Sequence, residues 1–194
     1  MSWHDPNAYA ELTVDIDQIL LSTEEIEARI KDIGARISRD YAGRVPLLIG
    51  VLKGVVPFMA DLLRSITIPV EVDFMAVSSY SRESRDQGIV RLLKDLDQPI
   101  GGRDVLFVED VIDTGLTLNS LLRTLRARGP ATLEVCVLFN KPVHRLVDIP
   151  IAYKGFDLPN RLVVGWGLDY RELYRNLPYV GLLKPEVFQH DVES

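Results

Sequence analysis

The chain holds one cysteine among its 194 residues, Cys136, so no internal disulfide is open to it. That cysteine lies within the apolar run Val135, Val137, Leu138 and Phe139, where a small buried core residue is the expected reading. No apolar stretch approaches the ~20 residues of a membrane-spanning helix. The opening Met1-Ser-Trp-His-Asp-Pro also lacks the basic segment and apolar stretch of a secretory signal, so a cytoplasmic location without membrane partners is expected. There is no basic surplus: 22 Lys and Arg stand against 28 Asp and Glu, a net charge of −6, which excludes overall attraction to DNA or RNA. Internal repeats and low-complexity tracts are lacking, as are the nucleotide-loop patterns G-x-x-x-x-G-K-[ST] and G-x-G-x-x-G. Any phosphate site must be built by another kind of loop.

What is present is ordinary globular composition, with 47% hydrophobic and 26% charged residues, in a chain long enough to bury its own core. A single domain spanning 1–194 is expected. Ser22-Thr23-Glu24-Glu25 has capping-box spacing, and Ile26, Ile30, Ile33 and Ile37 form one stripe of a helix running to about Tyr41-Ala42-Gly43. Leu47 to Leu52 reads as a strand buried on both faces, Pro57 to Leu63 as the helix after it. The pattern recurs: strand Val105 to Val108, loop 109–114, a helix carrying Leu118, Leu121, Leu122 and Leu125 that stops at Gly129-Pro130, then strand Leu133 to Phe139. This alternation predicts an α/β fold with a mostly parallel sheet flanked by helices, which binds ligands beyond the carboxyl ends of its strands. The core is expected over about 22–145. From about 148 to 194 the periodicity weakens, and this stretch is read as a smaller lobe. Residues 78–88 read as a long polar loop of the kind that often serves as a lid.

The stretch carrying the chemistry is VLFVEDVIDTGLTL, residues 105–118. An apolar strand delivers Glu109 and Asp110 to its carboxyl end. Asp113, Thr114, Gly115, Leu116 and Thr117 then turn the chain into a helix, offering backbone amides, hydroxyls and a helix N-terminus suited to a phosphate dianion. Two carboxylates beside it suit vicinal sugar hydroxyls or a divalent cation, so the loop describes a ribose 5-phosphate site. The bland alternative is a strand-turn-helix in which Asp113 or Thr114 merely caps the helix. Asp113-Thr114-Gly115 also matches the aspartic-protease triplet, but that chemistry needs two such triplets on a β-rich scaffold.

The stretch resembles the phosphoribosyl pyrophosphate motif of type I phosphoribosyltransferases, in the form found in the hypoxanthine-guanine branch. The resemblance extends through Gly50-Val51-Leu52-Lys53-Gly54, Val77-Ser78-Ser79-Tyr80, Leu92-Leu93-Lys94-Asp95-Leu96-Asp97 and Val164-Gly165-Trp166-Gly167-Leu168-Asp169-Tyr170. It implies the type I fold, with a small hood from the C-terminal segment and part of the N-terminus, and transfer of a phosphoribosyl group to a purine base. Residue by residue, it implies that Lys53, Gly54 and Arg175 bind pyrophosphate and that Ser79 and Tyr80 belong to the lid. Glu109, Asp110 and Asp169 would hold Mg²⁺, the first two with the ribose hydroxyls. Asp113 would be the general base. Lys141 would meet the purine 6-oxo group, with Leu162, Val163 and Asp169 also at the base. A homodimer or tetramer is implied as well. A xanthine-preferring enzyme and a nucleic-acid-binding regulator that retains the phosphoribosyl pyrophosphate site are the alternative readings. Leu162 and Ser81 depart from the family pattern, which commonly has a stacking aromatic ring and a glycine there. Trp166, four residues on in a segment read as extended, would share a face with Leu162 and offer a substitute ring.

Overall fold

The computed structural model describes residues 9–78 and 91–189. The lid residues Ser79 and Tyr80, and Ser81, lie outside the described residues. Among those described, no helix is long and apolar enough to cross a membrane.

The chain forms two compact units, one of residues 30–160 and the other of residues up to 29 and from 161 onward. In chain order the elements are α1 (Ala10–Thr13), β1 (Ile16–Leu21), α2 (Thr23–Asp40), β2 (Leu47–Leu52), α3 (Val55–Ser65), β3 (Glu71–Ser78) and β4 (Arg91–Lys94). There follow β5 (Asp104–Ile112), α4 (Leu116–Arg126), β6 (Thr132–Asn140), β7 (Tyr153–Asp157), β8 (Val163–Val164), β9 (Val180–Leu183) and α5 (Pro185–Phe188).

The helix expected after Ser22 is α2, and its capping box is formed: Ser22 N donates to Glu25 Oε2 at 2.8 Å, and Glu25 N donates to Ser22 Oγ at 3.3 Å. Ile26, Ile30, Ile33 and Ile37 are all buried. α3 starts two residues earlier than the proline suggested, because Pro57 sits in the first turn, where its missing N–H costs no helical bond.

The large unit is built on a six-stranded sheet of order β4-β3-β2-β5-β6-β7, parallel throughout except for the antiparallel pair β3 and β4. Alternate residues along a strand point to opposite faces. Leu47, Ile49, Val105, Phe107, Val135 and Val137 share one core with Leu118, Leu121, Leu122 and Leu125 of α4. Gly50 faces the other way, and a Cβ there would lie 2.9 Å from Val55 and 3.1 Å from Met59. The glycine therefore lets α3 approach β2 closely. Chain order reverses between β2 and β5: from β2 the chain goes first to β3 on one side, then crosses to β5 on the other. This switch point is where such sheets open a crevice at their carboxyl ends.

Two elements differ from the sequence reading. β5 does not end at Val108. Its ladder with β6 continues through Glu109↔Val137 and Val111↔Phe139 to Ile112↔Asn140, so Glu109 and Asp110 are strand residues and the turn begins at Asp113. Residues 153–157, placed by sequence in the smaller lobe, are β7, paired in parallel with β6 as the edge of the large sheet.

The small unit carries the antiparallel sheet β1-β9-β8, with Ile16, Val164, Tyr174, Leu177, Tyr179 and Leu183 as its buried cluster. Ser22→Ala removes the side-chain acceptor of the α2 cap. The expected loss is about 1 kcal/mol, the usual worth of such a cap, or ~2–4 °C in Tm for a chain of this size. Thermal unfolding followed by circular dichroism checks this; an unchanged Tm would show that the cap contributes nothing.

Candidate functional site

The crevice at the end of β5 is a real cavity. It has a volume of about 340 Å³ and is lined by Glu109, Val111, Asp113, Thr114, Gly115 and Thr117, with Ile112 and Leu118. Gly115 makes it possible: with φ +82° it occupies the left-handed region as the residue before α4, where a side chain would be strained and would crowd Arg145 and Ile149. Thr114 Oγ1 accepts from Leu116 N at 3.4 Å. The N-terminus of α4 borders the cavity through Gly115, Thr117 and Leu118, and the positive end of the helix dipole there favours an anion.

Glu109 is the unusual group here. Its Oε2 is sealed from solvent and accepts no hydrogen bond. Burial, reinforced by the negative charge of Asp110, pushes its carboxyl well above the ordinary range. A buried acceptor left unsatisfied costs free energy, and a ligand hydroxyl or a cation would supply what it lacks. Asp110 follows on the strand, its Oδ1 accepting from Val111 N at 2.7 Å, and it does not line the cavity.

Lys53 and Gly54 leave β2 through a cis peptide between Leu52 and Lys53. Gly50 pairs with Val108, so the chain departs β2 where β5 still runs on. Lys141 begins where β6 ends and is tied to β5 by its own N–H, which donates to the Ile112 carbonyl at 2.9 Å. Burial lowers the pKa of its ammonium, and the charge of Asp113 opposes that shift. The large unit therefore gathers Glu109, Asp113, Thr114, Gly115 and Thr117 in one cavity, with Lys141 close enough to Asp113 to feel its charge.

The remaining expected residues belong to the small unit. Asp169 Oδ1 lies 2.9 Å from the Arg175 guanidinium, and its Oδ2 accepts from Glu172 N at 2.9 Å. Arg175 donates to the Gly167 carbonyl at 2.8 Å, while its Nε is buried without a partner, as is Trp166 Nε1. Val163 pairs with Leu182 and is buried; Leu162 packs partly on the unit's apolar cluster. The extended reading through Trp166 is corrected. The strand stops at Val164, Gly165 and Trp166 adopt φ +101° and +49°, and Gly165 bridges to Leu168, so alternation no longer relates Trp166 to Leu162. Sequence reasoning missed His144, Arg145 and Asn160, which converge on Asp113 directly or through one another. No local pattern marks them, since their meeting depends on the fold.

Residues 17–171 match the family described as phosphoribosyl transferase domain. The chain is 53% identical over 174 residues to a hypoxanthine-guanine phosphoribosyltransferase of Streptococcus agalactiae, covering 90% of this chain and 97% of the relative. It is 51% identical over 191 residues to that of Mycobacterium tuberculosis, with 95% of each chain covered. A solved hypoxanthine phosphoribosyltransferase of Staphylococcus aureus superposes with a TM-score of 0.89 at 44% identity, over 92% of this chain and 97% of the other.

The Glu109 carboxyl gives a pH test of the geometry. A carboxyl raised on folding contributes stability that is complete below its unfolded pKa, about 4.3, and is lost as pH rises through the folded value. In protein freed of metal and substrate, Glu109→Gln should therefore raise Tm relative to wild type more at pH 8 than at pH 4. A difference that does not grow with pH would show that the carboxyl is solvated.

Proposed function

The chain belongs to the phosphoribosyl transferase domain family, and from that premise we propose that it is a purine salvage enzyme, a pentosyltransferase that joins hypoxanthine or guanine to the ribose 5-phosphate of phosphoribosyl pyrophosphate. The products are IMP or GMP and pyrophosphate. The observation that carries this reading is the cavity at the strand-order reversal, lined both by the N-terminus of α4 and by Glu109, whose Oε2 is left unsatisfied. An anion and a neighbouring hydroxylated ring answer both needs at once.

In this reading the amides at Thr114 to Thr117 hold the 5-phosphate, and Glu109 with Asp110 holds the ribose hydroxyls. Lys53 and Gly54 at the end of β2, and Arg175 of the small unit, take pyrophosphate. Lys141, a pure hydrogen-bond donor, selects purines with oxygen at position 6 and disfavours adenine, whose amino group would set donor against donor. Leu162 and Val163 cover the base by burial alone, without ring stacking.

Magnesium fits the donor set present. Among the described residues no three acidic, histidine or cysteine groups form a ready-made cage. Magnesium is commonly held by one or two carboxylates and substrate phosphates while keeping its waters, and the unsatisfied Oε2 of Glu109 suits that mode, with Asp110 and Asp169 as further ligands. When bound, the ion supplies charge neutralisation on the departing pyrophosphate. Asp113 takes the proton of the purine nitrogen as that nitrogen bonds to the anomeric carbon. A positioned base of this kind contributes ~10²–10⁴-fold. A cytoplasmic homo-oligomer, a dimer or tetramer, completes the reading.

Steady-state formation of nucleotide from hypoxanthine, guanine, xanthine and adenine, with phosphoribosyl pyrophosphate and magnesium, tests it. The expected order places hypoxanthine and guanine far above adenine; efficient conversion of adenine would overturn the role of Lys141, and xanthine well ahead of the others would change the substrate. Asp113→Asn should lower kcat by at least ~10²-fold with donor binding retained. Near-normal turnover in that variant would remove Asp113 from the chemistry. Replacing Glu109 and Asp110 together by Gln and Asn should weaken donor binding far more than base binding; calorimetry showing unchanged donor affinity would sink that assignment.

A further inference from the structure

The short 3-10 turn Pro142–His144 and the residue after it grip the phosphate loop of the large unit at several points. Arg145 Nε donates to the Asp113 carbonyl at 3.1 Å, and its NH2 reaches the Ile112 carbonyl at 3.5 Å and the side-chain carbonyl of Asn140. Leu146 N donates to the Thr114 carbonyl at 2.9 Å. These bonds hold the loop's backbone. They leave the direction of the Asp113 carboxylate to be set by something else.

His144 meets that need. Its Nδ1 lies 3.3 Å from Asp113 Oδ1, and on the far side of the ring Asn160 Nδ2 lies 2.7 Å from Nε2. An amide nitrogen only donates, so Nε2 is the acceptor, which leaves Nδ1, the nitrogen nearer the carboxylate, to carry the proton. Both side chains of the pair are 49% exposed, where an ion pair adds little to stability. Orientation is what the contact can supply. A carboxylate has about four acceptor sites, so a bond to Oδ1 leaves Oδ2 able to take a proton.

Resting on the reading of Asp113 as the general base, we propose that His144 is a positioning residue: its Nδ1–H holds Asp113 Oδ1 so that Oδ2 is presented to the purine N–H, and Asn160 fixes the tautomer that makes His144 a donor. The chain Asn160 to His144 to Asp113 delivers no proton to the substrate. It fixes the angle from which the proton is taken, and misplacing a reacting group is costly to turnover even when binding is intact.

The test uses the full chain with hypoxanthine, phosphoribosyl pyrophosphate and magnesium, and compares variants by kcat and KM separately. His144→Ala should lower kcat roughly tenfold, the scale of a modest loss of alignment, with the donor KM and Tm unchanged. His144→Gln, whose amide can donate to Oδ1, should recover most of that loss. Asn160→Ala should act in the same direction and add little to His144→Ala, as expected of residues acting as one unit. In an Asp113→Asn background, His144→Ala should have no further effect on kcat. If Asp113→Asn is impaired while His144→Ala turns over normally, this inference alone falls. An equal loss from His144→Ala in both backgrounds, or a loss confined to donor KM, would also overturn it. If Asp113→Asn is itself near normal, the general-base reading falls and takes the positioning role with it.

Discussion

The ladder between β5 and β6 is the constraint on which the site depends. Parallel pairing from Asp104↔Thr132 to Ile112↔Asn140 carries β5 four residues beyond the run Val105–Val108. That extension seals Glu109 Oε2 and sets the point at which the chain must turn. It also brings the end of β6 level with the turn, so that Lys141 N reaches the Ile112 carbonyl and Lys141 feels the charge of Asp113. A shorter ladder would leave the same residues on a solvated loop, with no reason to face one another.

The cost of this arrangement is visible in the same place. Glu109 holds an unsatisfied, sealed oxygen, and Gly115 holds a backbone conformation that disfavours side chains. The first is unfavourable to the folded chain by itself and is relieved by a bound polar ligand; the second is adopted without strain only because the residue is glycine. The surrounding frame makes this tolerable. α4 packs its four leucines on one face of the sheet, and α3 closes on Gly50 from the other.

Much of this was legible in the sequence because the signals were local. The capping box of α2, its isoleucine stripe, the apolar runs of β2 and β6 and the turn from β5 into α4 each depend on spacing within a few positions. The length of β5 was not legible, because Glu109-Asp110 looks like the start of a loop and only the partner strand shows otherwise. β7 was hidden for a similar reason: Tyr153-Lys-Gly-Phe-Asp157 is short and mixed, and it becomes a strand by pairing with β6. The turn at Gly165-Trp166 depends on a bridge to Leu168, and the meeting of His144 with Asp113 and Asn160 depends on the 3-10 turn. Separations of this kind carry no sequence period.

The pairing of β1 with β9 joins Ile16–Leu21 to Val180–Leu183, the first and last strands of the described chain. On a ribosome, β1 emerges before β2 to β8 and must wait for all of them before its partner strand exists. The large sheet closes on residues no later than Asp157 and can be complete before then. Loop closure across so long an interval is slow relative to local pairing. The small unit's sheet is therefore slower to close than the large one, and synthesis interrupted soon after Asp157 would leave the large sheet complete while β1 still lacked its partner strand.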